Sequence, residues 1–151
     1  MSLAAAYIVS DTHERDPHEF VPEESRRARA VPVYAALRTL GRDGLRELVE
    51  RNCSHARRMA ERLSVDPAVR ILNDVVLNQV LIRFEYEQGD AEAFTRAVIA
   101  GVQQEGTCWL GGTTWHGMAA MRISISNWST TTQDIDRSAD AILNVLQNVR
   151  L

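Results

Sequence analysis

Arg122 is the residue whose type and setting could do chemistry. It lies in Met118–Thr132, the run Met-Ala-Ala-Met-Arg-Ile-Ser-Ile-Ser-Asn-Trp-Ser-Thr-Thr-Thr. Met121, Ile123 and Ile125 alternate with Arg122, Ser124 and Ser126, the period of a half-buried β-strand. A guanidinium held in mid-strand between serines has the planar fork of donors that suits a carboxylate. A solvated strand arginine has the same pattern, so spacing leaves both readings open. Ser124 and Ser126 read as ordinary strand serines. His116, in Thr114-Trp115-His116-Gly117, reads as a surface turn residue beside this strand. Trp109, Trp115 and Trp128 are expected to be packing residues.

Other chemistries are poorly supplied. All 17 basic residues are arginine, so no lysine of this chain can form a Schiff base. Cys53 and Cys108 fall in a helical stripe and a strand pattern and read as buried thiols, which fits a cytoplasmic protein. The four histidines, His13, His18, His55 and His116, lack metal-ligand spacing. A net charge of −3 gives no electrostatic reason to expect nucleic acid. No apolar run approaches a transmembrane length and no signal peptide opens the chain.

The elements that must position Arg122 follow from periodicity. With 151 residues, 45% hydrophobic and 25% charged, the composition is that of one globular domain. Met1–Glu24 has no sustained period and reads as an extended arm or linker, its first three residues a vector remnant. Arg26–Leu40 is a helix apolar nearly all round (Val31, Val33, Tyr34, Leu37, Leu40), which must be covered on several sides. Gly41 is expected to close it. Leu45–Leu63 is amphipathic, with Leu45, Leu48, Val49, Asn52, Cys53, Ala56, Ala60 and Leu63 facing inward. Its outer face carries the pairs Glu47–Arg51 and Arg57/Arg58–Glu61. His55, beside that stripe, reads as a boundary or surface histidine.

Val69–Leu72 and Gln79–Glu85 are expected strands, the second alternating Val80, Ile82, Phe84 against Gln79, Leu81, Arg83. Asp90 caps a helix with the stripe Phe94, Ala97, Val98, Gly101, Val102, ending at Gly106. Thr107–Leu110 reads as a short strand broken by Gly111-Gly112. After the central strand, Thr131 and Asp134 form a capping box. The last helix buries Ile135, Ala139, Ile142, Leu143, Leu146 and Val149, with Asp134 and Asp136 near its positive end. The order α-α-β-β-α-β-β-α predicts an α+β fold, an antiparallel sheet of about four strands covered on one face by helices.

Several stretches together resemble one family. They are Ser25–Ala30 leading to Leu37-Arg38-Thr39-Leu40-Gly41, then Leu72–Gln79, Gly106–Trp109, and Met121–Asn127 running into Thr130-Thr131 and Asp134–Asp136. In this order they resemble the C-terminal part of pyridoxal-phosphate-dependent group II amino-acid decarboxylases, over roughly Ala4–Leu151. The resemblance implies the small domain of a fold-type I enzyme for residues 25–151, joined by the 1–24 arm to a large cofactor-binding domain absent here. It implies a cytoplasmic, homodimeric parent in which pyridoxal phosphate is the electron sink for loss of CO₂ from an amino acid. Arg122 matches the family arginine that approaches a substrate carboxylate. The family's Schiff-base lysine, stacking histidine and pyridine-nitrogen aspartate lie outside the matched part. The chain is therefore expected to be a fragment, inactive and without bound cofactor on its own.

The resemblance also offers a cover for the apolar helix, namely the missing domain. In the isolated chain, self-association through residues 1–40 would serve instead. Two alternatives remain: a stand-alone ferredoxin-like ligand-binding or interaction module, and the small domain of a fold-type I aminotransferase.

Overall fold

A computed structural model describes residues 28–87 and 89–150. The expected 1–24 arm and Ser25–Arg27 lie outside the described residues. The chain forms two compact units, Met1–Gly41 and Arg42–Leu151. Helix α1, Ala30–Leu63, runs through both, with its helical dihedrals broken at Gly41 (φ 63°, ψ −169°). Only glycine adopts that backbone without strain, which makes Gly41 the expected stop. Pro32 falls in the first turn, where its missing N–H forfeits no helical bond. In this first unit Val31, Val33, Tyr34, Leu37 and Leu40 are all exposed, between 41% and 64%.

The second unit holds the α+β layer. It comprises residues 42–63 of α1, β1 (Val69–Ile71), β2 (Gln79–Phe84), α2 (Ala91–Glu105), β3 (Gly111–Trp115), β4 (Met118–Ser124) and α3 (Thr132–Arg150). The four strands are antiparallel in the order β1-β2-β4-β3. β4 therefore pairs on one side with β3, its hairpin partner, and on the other with β2, across the intervening α2. The hairpin turns on His116 and Gly117, both at positive φ (47° and 81°), as a tight two-residue turn matched to strand twist requires.

One face of the sheet presents Val80, Ile82, Phe84, Met121 and Ile123 to a core shared with Ala56, Met59 and Leu63 of α1, Val98 and Val102 of α2, and Ile142 and Leu146 of α3. Each such large side chain, fully buried, contributes about 1.5–3 kcal/mol. The helices end as expected. Asp90 Oδ1 accepts from Glu92 N at 2.8 Å, and Gly106 N–H donates to Val102 O at 3.2 Å. At α3, Asp134 N donates to Thr131 Oγ1 at 3.3 Å and Thr131 N to Asp134 Oδ2 at 3.0 Å, closing the capping box.

Several expectations need correction. Thr107–Leu110 is a loop, and Gly111-Gly112 opens β3 instead of ending a strand. Ile99 of α2 packs at Gly112, its Cδ1 3.5 Å from where a Cβ of that residue would sit. On α2 the buried stripe is rotated: Thr95 and Ile99 face in and Ala97 faces out. Leu45 and Val49 are exposed, so the inward face of residues 42–63 begins only at Asn52. The strand ends also shift, to Ile71 and Phe84. Trp109, Trp115 and Trp128 are exposed, at 81%, 41% and 76%, and are not core residues. Cys108 lies half-buried in the 107–110 loop; Cys53 is buried and both are free thiols.

Arg58 does not pair along its own helix. Its Nε and Nη2 donate to Asp136 Oδ1 and Oδ2 of α3 at 2.7 and 2.8 Å, and one turn on Arg62 pairs with Asp140. Arg150 reaches back from the end of α3 to Asp66, at 2.6 and 3.1 Å.

α2 approaches α3 closely at Gly101, where a Cβ would lie 2.6 Å from Val145 Cγ1. Gly101→Val should therefore destabilise by about 2 kcal/mol or more through overpacking. Val145→Ala in that background should recover part of the loss, measurable as a shift of the urea midpoint.

Candidate functional site

Arg122 stands on the sheet face opposite the helices. Its register partners are Leu81 of β2 and Gly111 of β3. Leu81 is buried, whereas at position 111 a Cβ would meet nothing within 4 Å. One flank of the guanidinium is thus apolar and the other is empty. Arg122, Ser124 and Ser126 are all exposed, and Ser124 lies opposite Gln79. The ion pairs among the described residues do not include Arg122. β4 thus places Arg122 and Ser124 together, with a full fork of donors for an incoming carboxylate. His116 sits at the hairpin tip, exposed, its ring edge-on to Trp115 with centroids 4.7 Å apart.

The enclosed arginine on this face is Arg83, its side chain only 12% exposed. It pairs with Glu92 at the start of α2. The Glu92 carboxylate also accepts from Ala119 N at 2.8 and 3.0 Å. The Arg83 hydrogen bond, and after it the Ala119 amide, lower the Glu92 pKa. One carboxylate thereby fastens β2, α2 and β4 together. Sequence reading placed Arg83 only on a polar strand face. Its partner lies nine residues on, beyond a loop, where no periodicity connects them.

His55 is a second departure. It is 6% exposed and Asn52, one turn earlier, 7%, so neither is a surface residue. His55 Nδ1 and Asn52 Oδ1 have no hydrogen-bond partner among the described residues. Such buried orphans cost about 1–3 kcal/mol each. Burial, and then the nearby charges of Arg51 and Arg58, lower the His55 pKa against an opposing contribution from Asp134. The ring lines a cleft of about 360 Å³ with Arg51 and the 128–132 segment that opens α3. Arg51 Nη2 donates to Trp128 O at 2.9 Å, tying α1 to that segment. The i,i+3 spacing of Asn52 and His55 on a helix with an apolar stripe was the available signal. Among the described residues no group of His, Cys, Asp and Glu could hold a metal ion, and no helix is long and apolar enough to cross a membrane.

No family model matches the chain. In sequence it is similar to L-2,4-diaminobutyrate decarboxylase of Rhizobium meliloti (strain 1021), 26% identical over 122 residues, which are 80% of this chain and 25% of that protein. In fold it is similar to the glutamate decarboxylase domain of diaminobutyrate-pyruvate transaminase and L-2,4-diaminobutyrate decarboxylase from Vibrio parahaemolyticus. The TM-score is 0.69 at 21% identity, covering 82% of this chain and 27% of that one. Oryza sativa TDC with PLP and tryptamine gives 0.78 at 15% identity, covering 90% and 30%. The chain thus spans about a quarter of the length of the curated relative it matches. The resemblance read from the sequence is borne out, and a stand-alone module is not favoured.

The lowered His55 pKa has a defined sign. The unfolded chain takes up the histidine proton at about 6.5 while the folded chain resists it, so the neutral ring's stability is present above that pH and is lost as pH falls below it. His55→Gln should flatten the decline of unfolding free energy between about pH 7.5 and 5.5. Denaturant titrations across that window check this; an unchanged slope would refute it.

Proposed function

We propose that this chain is the small C-terminal domain of a pyridoxal-phosphate-dependent group II amino-acid decarboxylase. Within the whole enzyme, Arg122 holds the carboxylate of an amino-acid substrate. The observation that carries the reading is Arg122 itself. It is exposed on the sheet face opposite the helices, in a fold shared with decarboxylases. Among the described residues it is in no ion pair, unlike Arg58, Arg83 and Arg150. Decarboxylation is favoured over transamination because the sequence relative is a decarboxylase.

The residues of this chain do not fit the cofactor by themselves. Attachment needs a neutral amine, and seventeen guanidinium groups that stay protonated cannot supply one. The catalytic step therefore belongs to residues outside these 151, and this chain contributes carboxylate recognition. Homodimerisation of the parent, and cover for Val31, Val33, Tyr34, Leu37 and Leu40 by another body, belong to the same reading. In the isolated chain that cover would be self-association through residues 1–40.

A panel of amino acids assayed with the full-length protein for CO₂ release tests the activity; transamination without CO₂ would replace it. In that protein Arg122→Lys keeps the charge and loses the two-pronged contact. Turnover or substrate affinity should fall about tenfold or more, matching the roughly 1.5–3 kcal/mol of a charge-assisted hydrogen bond. Unchanged kinetics in a cofactor-loaded variant would make Arg122 a solvated strand residue.

The 151-residue chain titrated with pyridoxal phosphate should develop no saturable imine absorbance that survives dialysis. Light scattering of the same chain should report a dimer or larger, and Leu37→Arg should shift it towards monomer. A monomer at all concentrations would sink the self-association.

A further inference from the structure

We propose that β3 pairs edge to edge with β3 of a second copy of this chain, antiparallel and centred on Thr113. The sheet has two edges. β1 is three residues long and carries Arg70, exposed and paired with Glu85 at 3.4 Å. A short strand bearing a charge is how an edge is kept from pairing. β3, the other edge, reads Gly111-Gly112-Thr113-Thr114-Trp115, without charge or proline. Arg96 is the charged side chain in the groove between α2 and this strand, and Glu92 already engages it at 3.3 Å. A second β3 therefore meets no like charge.

Hydrogen bonding fixes the register. The turn at His116 and Gly117 closes on Trp115 opposite Met118, and in a two-residue hairpin that flanking pair is hydrogen-bonded. Trp115, Thr113 and Gly111 then direct their N–H and C=O towards β4, and Gly112 and Thr114 direct theirs outward. Both of these are exposed, with no other backbone partner among the described residues. Centring on Thr113 sets Gly112 opposite Thr114 of the second copy and Thr114 opposite its Gly112, so every outward group is paired. Centring on Gly112 or Thr114 would satisfy only one of the two residues.

The side chains match in the same register. Gly111 and Trp115 share the sheet face of Arg122, and a Cβ at position 111 would meet nothing within 4 Å. Trp115, 41% exposed, falls opposite Gly111 of the second copy in a pair without hydrogen bonds, where side chains approach most closely. An aromatic ring over a cross-strand glycine restores the packing that the glycine lacks. The ring also walls the vacant flank of Arg122, so the carboxylate site gains a residue from the second copy; that consequence alone rests on the decarboxylase reading.

Disulfide trapping in the 151-residue chain tests the pairing. The two Thr113 Cα atoms would lie about 4.5 Å apart, within reach of a disulfide, and the two Thr114 Cα atoms about 7–8 Å apart, beyond it. In a glutathione buffer Thr113→Cys should form covalent dimer about tenfold faster than Thr114→Cys or the unmodified chain, whose Cys53 and Cys108 control for native thiols. Adding Thr114→Pro, which removes an outward N–H and no bond to β4, should cut trapping about tenfold. Gly111→Lys, for which there is room, should cut it to a similar extent by placing a charge beneath the ring. Leu37→Arg should leave trapping in place, because residues 1–40 take no part. Equal trapping at 113 and 114, no effect of either added substitution in a chain with unchanged circular dichroism, or loss of trapping with Leu37→Arg would each overturn the proposal. Trapping does not read activity, so its failure and a failure to release CO₂ are separate results.

Discussion

β4 must pair with β2 and β3 at once, and the rest of the second unit follows from that constraint. Its register sets Met121 against Ile82 and Gly112, and Ile123 against Val80, so the core face is continuous across three strands. Because side chains alternate, a slip of one residue would turn Arg122 into the core and Met121 out of it. Burying a guanidinium without a partner costs far more than any gain from a new register. Core packing and the outward projection of Arg122 are therefore one and the same requirement.

The helical layer is held in register by arginine as well. Arg58 and Arg62 are one turn apart on α1, as are Asp136 and Asp140 on α3, which gives a two-rung contact between helices. These pairs are partly exposed, so each adds little to stability by itself. What they add is orientation: Arg58 engages both Asp136 oxygens through Nε and Nη2, a geometry lysine cannot reproduce. Asp66, more enclosed, has its pKa lowered chiefly by the Arg150 hydrogen bond. That contribution is present above the ordinary carboxylate pKa and is lost as pH falls through the lowered one. In a chain without lysine, the same side-chain type locks the helices and, at Arg122, lies exposed on the opposite face of the sheet. Among the described residues the difference lies in whether an acid is within reach.

The surroundings of Arg122 and of His55 differ in how they are incomplete. Around Arg122 nothing is unsatisfied, because the guanidinium is solvated, and one flank is simply vacant above Gly111. At His55 the protein itself carries the cost of buried orphan atoms.

Most of the fold class was determined by the sequence alone. The period-two run at 121–126, whose strand ends two residues earlier than expected at Ser124, the Asp90 cap, the Thr131–Asp134 box and the stop at Gly41 depend on neighbours within a few residues. The order of elements and the α+β layer follow from the same signals. What only the tertiary structure decided involves partners far apart in sequence. The place of β3 at an edge was invisible because its glycines are poor strand formers, and the packing of Ile99 of α2 at Gly112 comes from far along the chain. The rotation of α2 onto Thr95 and Ile99, and the burial of His55, depend on which neighbour each helix meets. Arg83, Arg58 and Arg122 look alike in a string of residues. Whether a guanidinium is locked or available depends on acids that the fold brings within 4 Å, and those contacts are formed only once the strands and helices have packed.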